Sequence, residues 1–178
     1  ISSITTAMAK NNRLFLAGLR EMQPDRKFAP DANSTMRLSY GTVKDYYPMD
    51  GVYYNYFTTA DGILEKMDNT NEEFKVDPKL EKIIRDKDFG PYGENGKLKV
   101  CFISNNDITG GNSGSPVVNG NGELVGLAFD GNWEAMSGDI AYDPDYKRTI
   151  SADIRYVLFI IDKFAGAGHL IKEMKIVN

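Results

Sequence analysis

The 178-residue sequence has one cysteine, one histidine and one tryptophan. A single cysteine, Cys101, excludes an internal disulfide, and its place in an apolar run makes it a core residue. Nothing in the composition calls for a metal or a cofactor, and neither is expected. Long apolar runs are missing too. Tyr156 to Ile161 is far short of the roughly 20 residues a spanning helix needs, so membrane insertion is not expected. There is no surplus of positive charge: 21 Lys and Arg stand against 25 Asp and Glu, for a net charge of −4, which argues against nucleic acid as a partner. An initiator methionine and a signal peptide are also lacking. The chain opens Ile1-Ser2-Ser3 directly on a helical pattern and reads as a piece of something longer.

What is present suits one domain with a small appendage, large enough to bury a real core. Ile4, Met8, Phe15, Leu19 and Met22 recur at helical spacing, so residues 4–22 are predicted to form an amphipathic helix that Pro24 ends. Residues 23–35 read as a polar linker, and Asn33-Ser34-Thr35 fits a glycosylation pattern with no context to support it. From Met36 the texture is β: strands are expected at Met36–Tyr40, around Thr42-Val43, and over Val52–Thr59 with its dense tyrosines. A helical turn is expected over 61–67 and a short helix from Asp77-Pro78 to about Asp86. Further strands are expected at Leu98–Ser104, Pro116–Val118, Glu123–Phe129 and Arg148–Ile154. A hairpin turn at Asn119-Gly120-Asn121-Gly122 joins two of them, residues 130–147 form a long loop, and a helix follows to Phe164. Many short strands followed by a terminal helix point to a small β-barrel half.

The most informative stretch is Thr109-Gly110-Gly111-Asn112-Ser113-Gly114-Ser115-Pro116, between two strand-like runs. Three glycines around one serine admit backbone shapes that a Cβ forbids. A serine attacks a carbonyl well only if a base takes its proton and donors receive the oxyanion. The N–H groups of Gly111 and Ser113 can converge on one oxygen in such a turn. The bland alternative is a glycine-rich hairpin with an incidental serine. A phosphate-binding loop would need a Lys-Ser/Thr pair and a following helix, and a hydrolase elbow needs Gly-x-Ser-x-Gly; neither pattern fits.

With strands on both sides, Gly-Asn-Ser-Gly-Ser-Pro resembles the serine loop of bacterial chymotrypsin-like peptidases. The segments Asn105 to Pro116, Gly126 to Asp139 and Arg148 to Tyr156 are similar to bacterial dipeptidyl aminopeptidases of the dipeptidyl peptidase seven and eleven type, closer to the seven type. The likeness covers essentially the whole chain. It implies a mainly β fold with terminal helices: the C-terminal barrel half of a chymotrypsin-like double β-barrel. Residues 1–30 would be the end of an inserted helical domain, and residues 31–178 the barrel half with its closing helix. It implies a serine dipeptidyl aminopeptidase with Ser113 as nucleophile and the Gly111 and Ser113 N–H groups as oxyanion donors. Asp130 matches the carboxylate that holds the substrate's free amine. Gly131 matches the specificity position, where arginine goes with cleavage after Asp or Glu and glycine with cleavage after apolar residues.

Asp107, six residues before Ser113, stands where trypsin-like enzymes keep the carboxylate that selects Lys or Arg. A basic preference through Asp107 is therefore an alternative, although the resemblance includes this aspartate in both specificity types and makes it structural. A serine triad also needs an imidazole and a carboxylate. His169 lies downstream of the serine, where chymotrypsin-like enzymes do not place the base, so base and aspartate are expected outside this chain and the chain alone is expected to be inactive. The implied partners are oligopeptide substrates and the missing N-terminal barrel and helical domain; the apolar surface that the isolated piece would expose makes self-association, as a homodimer, an expectation too. The implied location is the periplasm or cell surface of a Gram-negative bacterium. A non-catalytic peptide-binding module, using the tyrosines of 52–59 as its contact surface, is the alternative from another class.

Overall fold

The computed structural model describes residues 2–26, 28, 34–137 and 142–177. The chain divides into two compact units, Ile1–Leu38 and Ser39–Asn178. The first is built on helix α1, Ser2–Met22, where the apolar spacing predicts it. Arg20 lies in its last turn, where a cation opposes the helix dipole favourably. The Gln23 N–H closes the end on the Leu19 carbonyl, one residue before Pro24. Ile4, Met8, Phe15 and Met22 are exposed on α1. Asn33, of the glycosylation pattern, lies outside the described residues.

The second unit contains a hairpin, β1 (Tyr46–Met49) and β2 (Val52–Tyr54), and a five-stranded sheet. The sheet comprises β3 (Phe57–Thr59), β4 (Lys99–Ser104), β5 (Pro116–Val118), β6 (Leu124–Gly131) and β7 (Thr149–Asp153), in the order β3-β4-β7-β6-β5. Every pair is antiparallel. The sheet is open: β3 and β5 stand at its two edges.

The core gathers at the β3–β4 end. Ala60, Ile84, Phe89, Tyr92, Leu98, Leu158 and Phe159 form one buried cluster. Leu98 and Val100 enter it from alternate positions, while Cys101 points the other way, as the two-residue period of a strand dictates. Cys101 is therefore half-buried and outside that cluster, which corrects its assignment to the core. Helix α2 (Asp61–Lys66) and helix α3 (Pro78–Arg85) cover this end. Asp77 caps α3 by accepting from the Lys79 N–H at 2.7 Å, with Pro78 in the first turn. Asp153 ends β7 and at once caps α4 (Ile154–Phe159), accepting from the Arg155 N–H at 2.9 Å. Its carboxylate also receives the Arg155 guanidinium at 2.6 Å. A wider turn over Ile160–Phe164 carries the chain to Gly166, with φ +69°, and to the four-residue helix α5, Gly168–Ile171.

Two expectations change. Met36–Tyr40 forms no strand, and around Thr42-Val43 the expected strand is reduced to an isolated bridge, Val43 to Ser104. Val52–Thr59 is not one strand. It divides between β2, which pairs with β1, and β3, which pairs with β4 through Phe57 and Phe102. Strand β1 escapes a sequence reading because Pro48 sits inside it, where a two-stranded edge tolerates a missing N–H. Gly51, with φ +74°, follows Asp50 to make the Asp-Gly turn of the hairpin.

Candidate active site

The loop between β4 and β5 is shaped by its own polar groups. Asn112 Oδ1 accepts from the Thr109 N–H at 2.9 Å, and the Asn112 N–H donates to the Thr109 carbonyl at 3.2 Å. These bonds close a tight turn over Gly110 and Gly111. Gly111 holds φ +99° and Gly114 φ +80°, both in the region glycine enters freely. On leaving, the Gly114 N–H donates to the Ala128 carbonyl at 2.7 Å, and the Ala128 N–H to the Ser115 carbonyl at 2.9 Å. The loop is thereby pinned to β6.

Ser113 is exposed between these anchors. Its hydroxyl faces the Phe129 carbonyl at 3.5 Å, too far for a strong bond. The N–H groups of Asn112, Gly114 and Ser115 are all used, whereas those of Gly111 and Ser113 donate to no acceptor among the described residues. An exposed hydroxyl held only by the long bond to the Phe129 carbonyl, beside two N–H groups with no acceptor among the described residues, is an arrangement that can receive a carbonyl and the negative charge that develops on its oxygen.

Strand β6 delivers the second set of groups. Ala128 faces Ser151 on β7, but Asp130 faces Ile150, so Phe129 is an extra residue. This bulge turns the strand end beside the serine, and bulges of this kind re-aim side chains. Asp130 is exposed and its Oδ1 accepts from the Gly131 N–H at 2.8 Å. Gly131 pairs with Thr149. A Cβ added at Gly131 would lie 3.1 Å from the Ala135 Cβ, so the following turn, Trp133–Ser137, packs closely there. Phe129, Trp133 and Met136 are strongly exposed.

A buried clamp holds this strand end. The Asn132 N–H donates to the Arg148 carbonyl at 3.0 Å, and the Arg148 N–H returns a bond to Asn132 Oδ1 at 2.8 Å. Asn132 Nδ2 reaches Glu134 Oε2 and the Tyr146 carbonyl, and the Tyr46 hydroxyl also donates to Glu134 at 2.9 Å. Burial, with the Glu134 carboxylate adding, pushes the Tyr46 phenol up, so it stays a donor. The Arg148 side chain is 1 % exposed. It donates to the carbonyls of Lys44, Asp45, Pro144, Asp145 and Lys147 at 2.8–3.1 Å and lies 5.2 Å over the Tyr46 ring.

Asp107 has a partner the sequence did not disclose: Lys147 Nζ donates to its Oδ1. His169 is exposed in α5, beside Asp162 and Lys172 around an open concavity of about 750 Å³, and makes no hydrogen bond to Ser113. Ser113, Gly111, Asp130 and Gly131 thus share one end of the sheet, while no imidazole joins them among the described residues. Asn112 and Arg148 lie in stretches the sequence singled out, but their bonding roles had no signal there; Lys147 had no motif to announce it, and the bulge at Phe129 depends on a pairing that only the fold creates.

A serine loop whose Gly111 and Ser113 N–H groups donate to no acceptor among the described residues lies beside a bulged strand that presents a carboxylate and a glycine. The chain belongs to the Peptidase S46 family, whose model matches residues 2–176. It is 61% identical to the dipeptidyl-peptidase 7 of Porphyromonas endodontalis over 95% of its length, which is 21% of that protein. To the Asp/Glu-specific dipeptidyl-peptidase of Flavobacterium psychrophilum it is 53% identical, over 93% of the chain and 23% of the relative. The crystal structure of Porphyromonas endodontalis DPP11 with the dipeptide Arg-Glu superposes with a TM-score of 0.84 at 49% identity, covering 89% of this chain and 23% of that one. The chain therefore spans between a fifth and a quarter of the length of these relatives. Among the described residues no helix is long and apolar enough to cross a membrane.

Proposed function

We propose that this chain is the nucleophile-bearing part of a longer serine dipeptidyl aminopeptidase that removes dipeptides from free peptide N-termini. The observation that carries the reading is the exposed Ser113 beside the unpaired Gly111 and Ser113 N–H groups, one strand from Asp130. Ser113 attacks the carbonyl between the second and third substrate residues. The two N–H groups receive the oxyanion, and one such donor typically contributes about 10²–10³ in rate. Asp130 holds the substrate ammonium, and its fixed distance from Ser113 counts off two residues. Gly131 borders the site of the residue before the cut and leaves it without a charge, which favours an apolar side chain. The triad histidine and aspartate belong to the part of the protein outside this chain, as does the rest of a chymotrypsin-like double barrel of which the open sheet is one half. Residues 1–30 are then the end of a helical domain. Oligopeptides are the substrates, the chain pairs with the remainder of its own protein and a second copy, and the enzyme works in the periplasm or at the cell surface.

The alternative of a basic preference through Asp107 is weakened by Lys147, which occupies that carboxylate. The test is hydrolysis of dipeptidyl coumarin amides ending in Leu, Phe, Asp and Arg by the full-length protein. Cleavage after Leu and Phe that disappears in Ser113→Ala supports the reading. Cleavage chiefly after Arg, or undiminished turnover by Ser113→Ala, overturns it. Peptide binding without phosphonate labelling of Ser113 would instead favour a binding module.

A further inference from the structure

We propose that Lys147 is a specificity-determining residue: its buried ammonium cancels the charge of Asp107 beside the Gly131–Thr149 pair and keeps the site for the residue before the cut electrically neutral. The inference rests on the peptidase reading above and extends it. Lys147 is 3 % exposed, a rare state for lysine that demands a counter-charge. Asp107 supplies it through Oδ1, while its own side chain is 55% exposed.

The pair lies where substrate selection is placed. The Thr149 hydroxyl donates to the Asn106 carbonyl at 2.7 Å, and Thr149 faces Gly131 across the sheet. Asp107 follows Asn106, and Lys147 precedes Thr149 by two residues, so the backbone carrying both charges adjoins the Gly131–Thr149 pair. Neither is free to leave. The Asp107 carbonyl accepts from the Ser39 hydroxyl, the Lys147 N–H donates to the Asp143 carbonyl at 2.9 Å, and the Tyr142 ring lies 5.5 Å from the ammonium.

The consequence is two-sided. Alone, the carboxylate would attract a guanidinium, and the ammonium would attract a carboxylate, each through a charge-assisted hydrogen bond. Together they give neither substrate an advantage, and an apolar side chain has no ion to desolvate. Gly131 adds no charge, and the Lys147–Asp107 pair provides neutrality.

The experiment compares full-length wild type, Lys147→Met, Lys147→Arg, Asp107→Asn and the Lys147→Met/Asp107→Asn pair on dipeptidyl coumarin amides ending in Leu, Glu and Arg. Lys147→Met is expected to raise kcat/KM for Arg relative to Leu by about tenfold to a hundredfold, the range one charge-assisted hydrogen bond supports. Asp107→Asn is expected to raise Glu relative to Leu by a similar factor. Lys147→Arg and the double variant should keep the wild-type order. A wild type that cleaves after Leu, with no Arg gain in Lys147→Met and no Glu gain in Asp107→Asn, overturns the proposal. If Lys147→Met does not fold, Asp107→Asn decides it by its gain on Glu. Benzamidine binding, read by calorimetry, needs no turnover and should tighten at least tenfold in Lys147→Met. If it does so while wild type cleaves no dipeptidyl substrate, the peptidase reading falls and the charge cancellation stands; if it does not tighten, the charge cancellation falls.

Discussion

Replacing Arg148 tests how the strand end beside the candidate site is held. The guanidinium makes five hydrogen bonds to carbonyls of two separate stretches, 44–45 and 144–147. Bonds to a charged donor are worth about 1.5–3 kcal/mol each, but burying the ion costs several kcal/mol and offsets much of that sum. Arg148→Met removes both terms and leaves five carbonyls without their donor. Lys44, Pro144 and Asp145 are exposed and water can replace the guanidinium there, whereas Lys147 is buried and Asp45 half-buried. The expected loss is therefore about 3–5 kcal/mol, near the upper end for single substitutions. Arg148→Lys keeps the charge but has three donors for five acceptors in the wrong geometry, and should lose about 2–3 kcal/mol. Urea unfolding reads both, as a shift in midpoint at constant slope. Losses below about 1 kcal/mol in both variants would show that the carbonyls do not need the guanidinium, and the clamp would have to be abandoned.

Gly111→Ala forces a Cβ into a backbone with φ +99° and should cut kcat by about 10²–10³ in the full-length protein while its melting temperature changes little. Gly126→Ala places a Cβ 2.7 Å from the Ala152 carbonyl and from the Phe102 ring, so it should destabilise by about 1–3 kcal/mol, while Gly120→Ala, with open space around it, should be nearly neutral by the same unfolding assay. Burial, then the hydrogen bond to Asp162, raises the Tyr92 phenol from 10.0 to about 12. The folded state thus keeps the proton longer than the unfolded chain. The stabilisation from Tyr92 is complete below pH 10 and should fade between pH 10 and 12, by about 2–3 kcal/mol. When urea midpoints are followed against pH, Tyr92→Phe should lose that much less than wild type over this range, the remainder coming from the other raised phenols such as Tyr46 and Tyr156. Cys101, whose thiol burial pushes up, should react slowly with disulfide reagents at neutral pH in the native protein and rapidly after unfolding.

Local signals carried far in this chain where the physics is local. Pro78 after Asp77, the period of α1, and the strands on either side of the serine loop are all decided within a few residues, and the structure has them where periodicity and capping chemistry put them. The split of Val52–Thr59 was not legible, because every residue there favours a strand and only the partner strand decides which sheet it joins. Met36–Tyr40 alternates as a strand should, yet among the described residues it forms no strand ladder.

By itself the sequence determined the shape of the loop around Ser113: glycines that enter positive φ and an asparagine that closes the turn. Those properties follow from the residue types and their spacing along the backbone. Tertiary structure alone decided what surrounds that loop. Lys147 lies 40 residues from Asp107, and Arg148 lies 104 from Lys44, so each contact needs the sheet to form before it exists. Ion pairs and carbonyl cages act over a few ångströms of space, which sequence separation does not measure, and the order β3-β4-β7-β6-β5 is what brings Asp130, Gly131, Asp107 and Lys147 to the end of the sheet that holds Ser113.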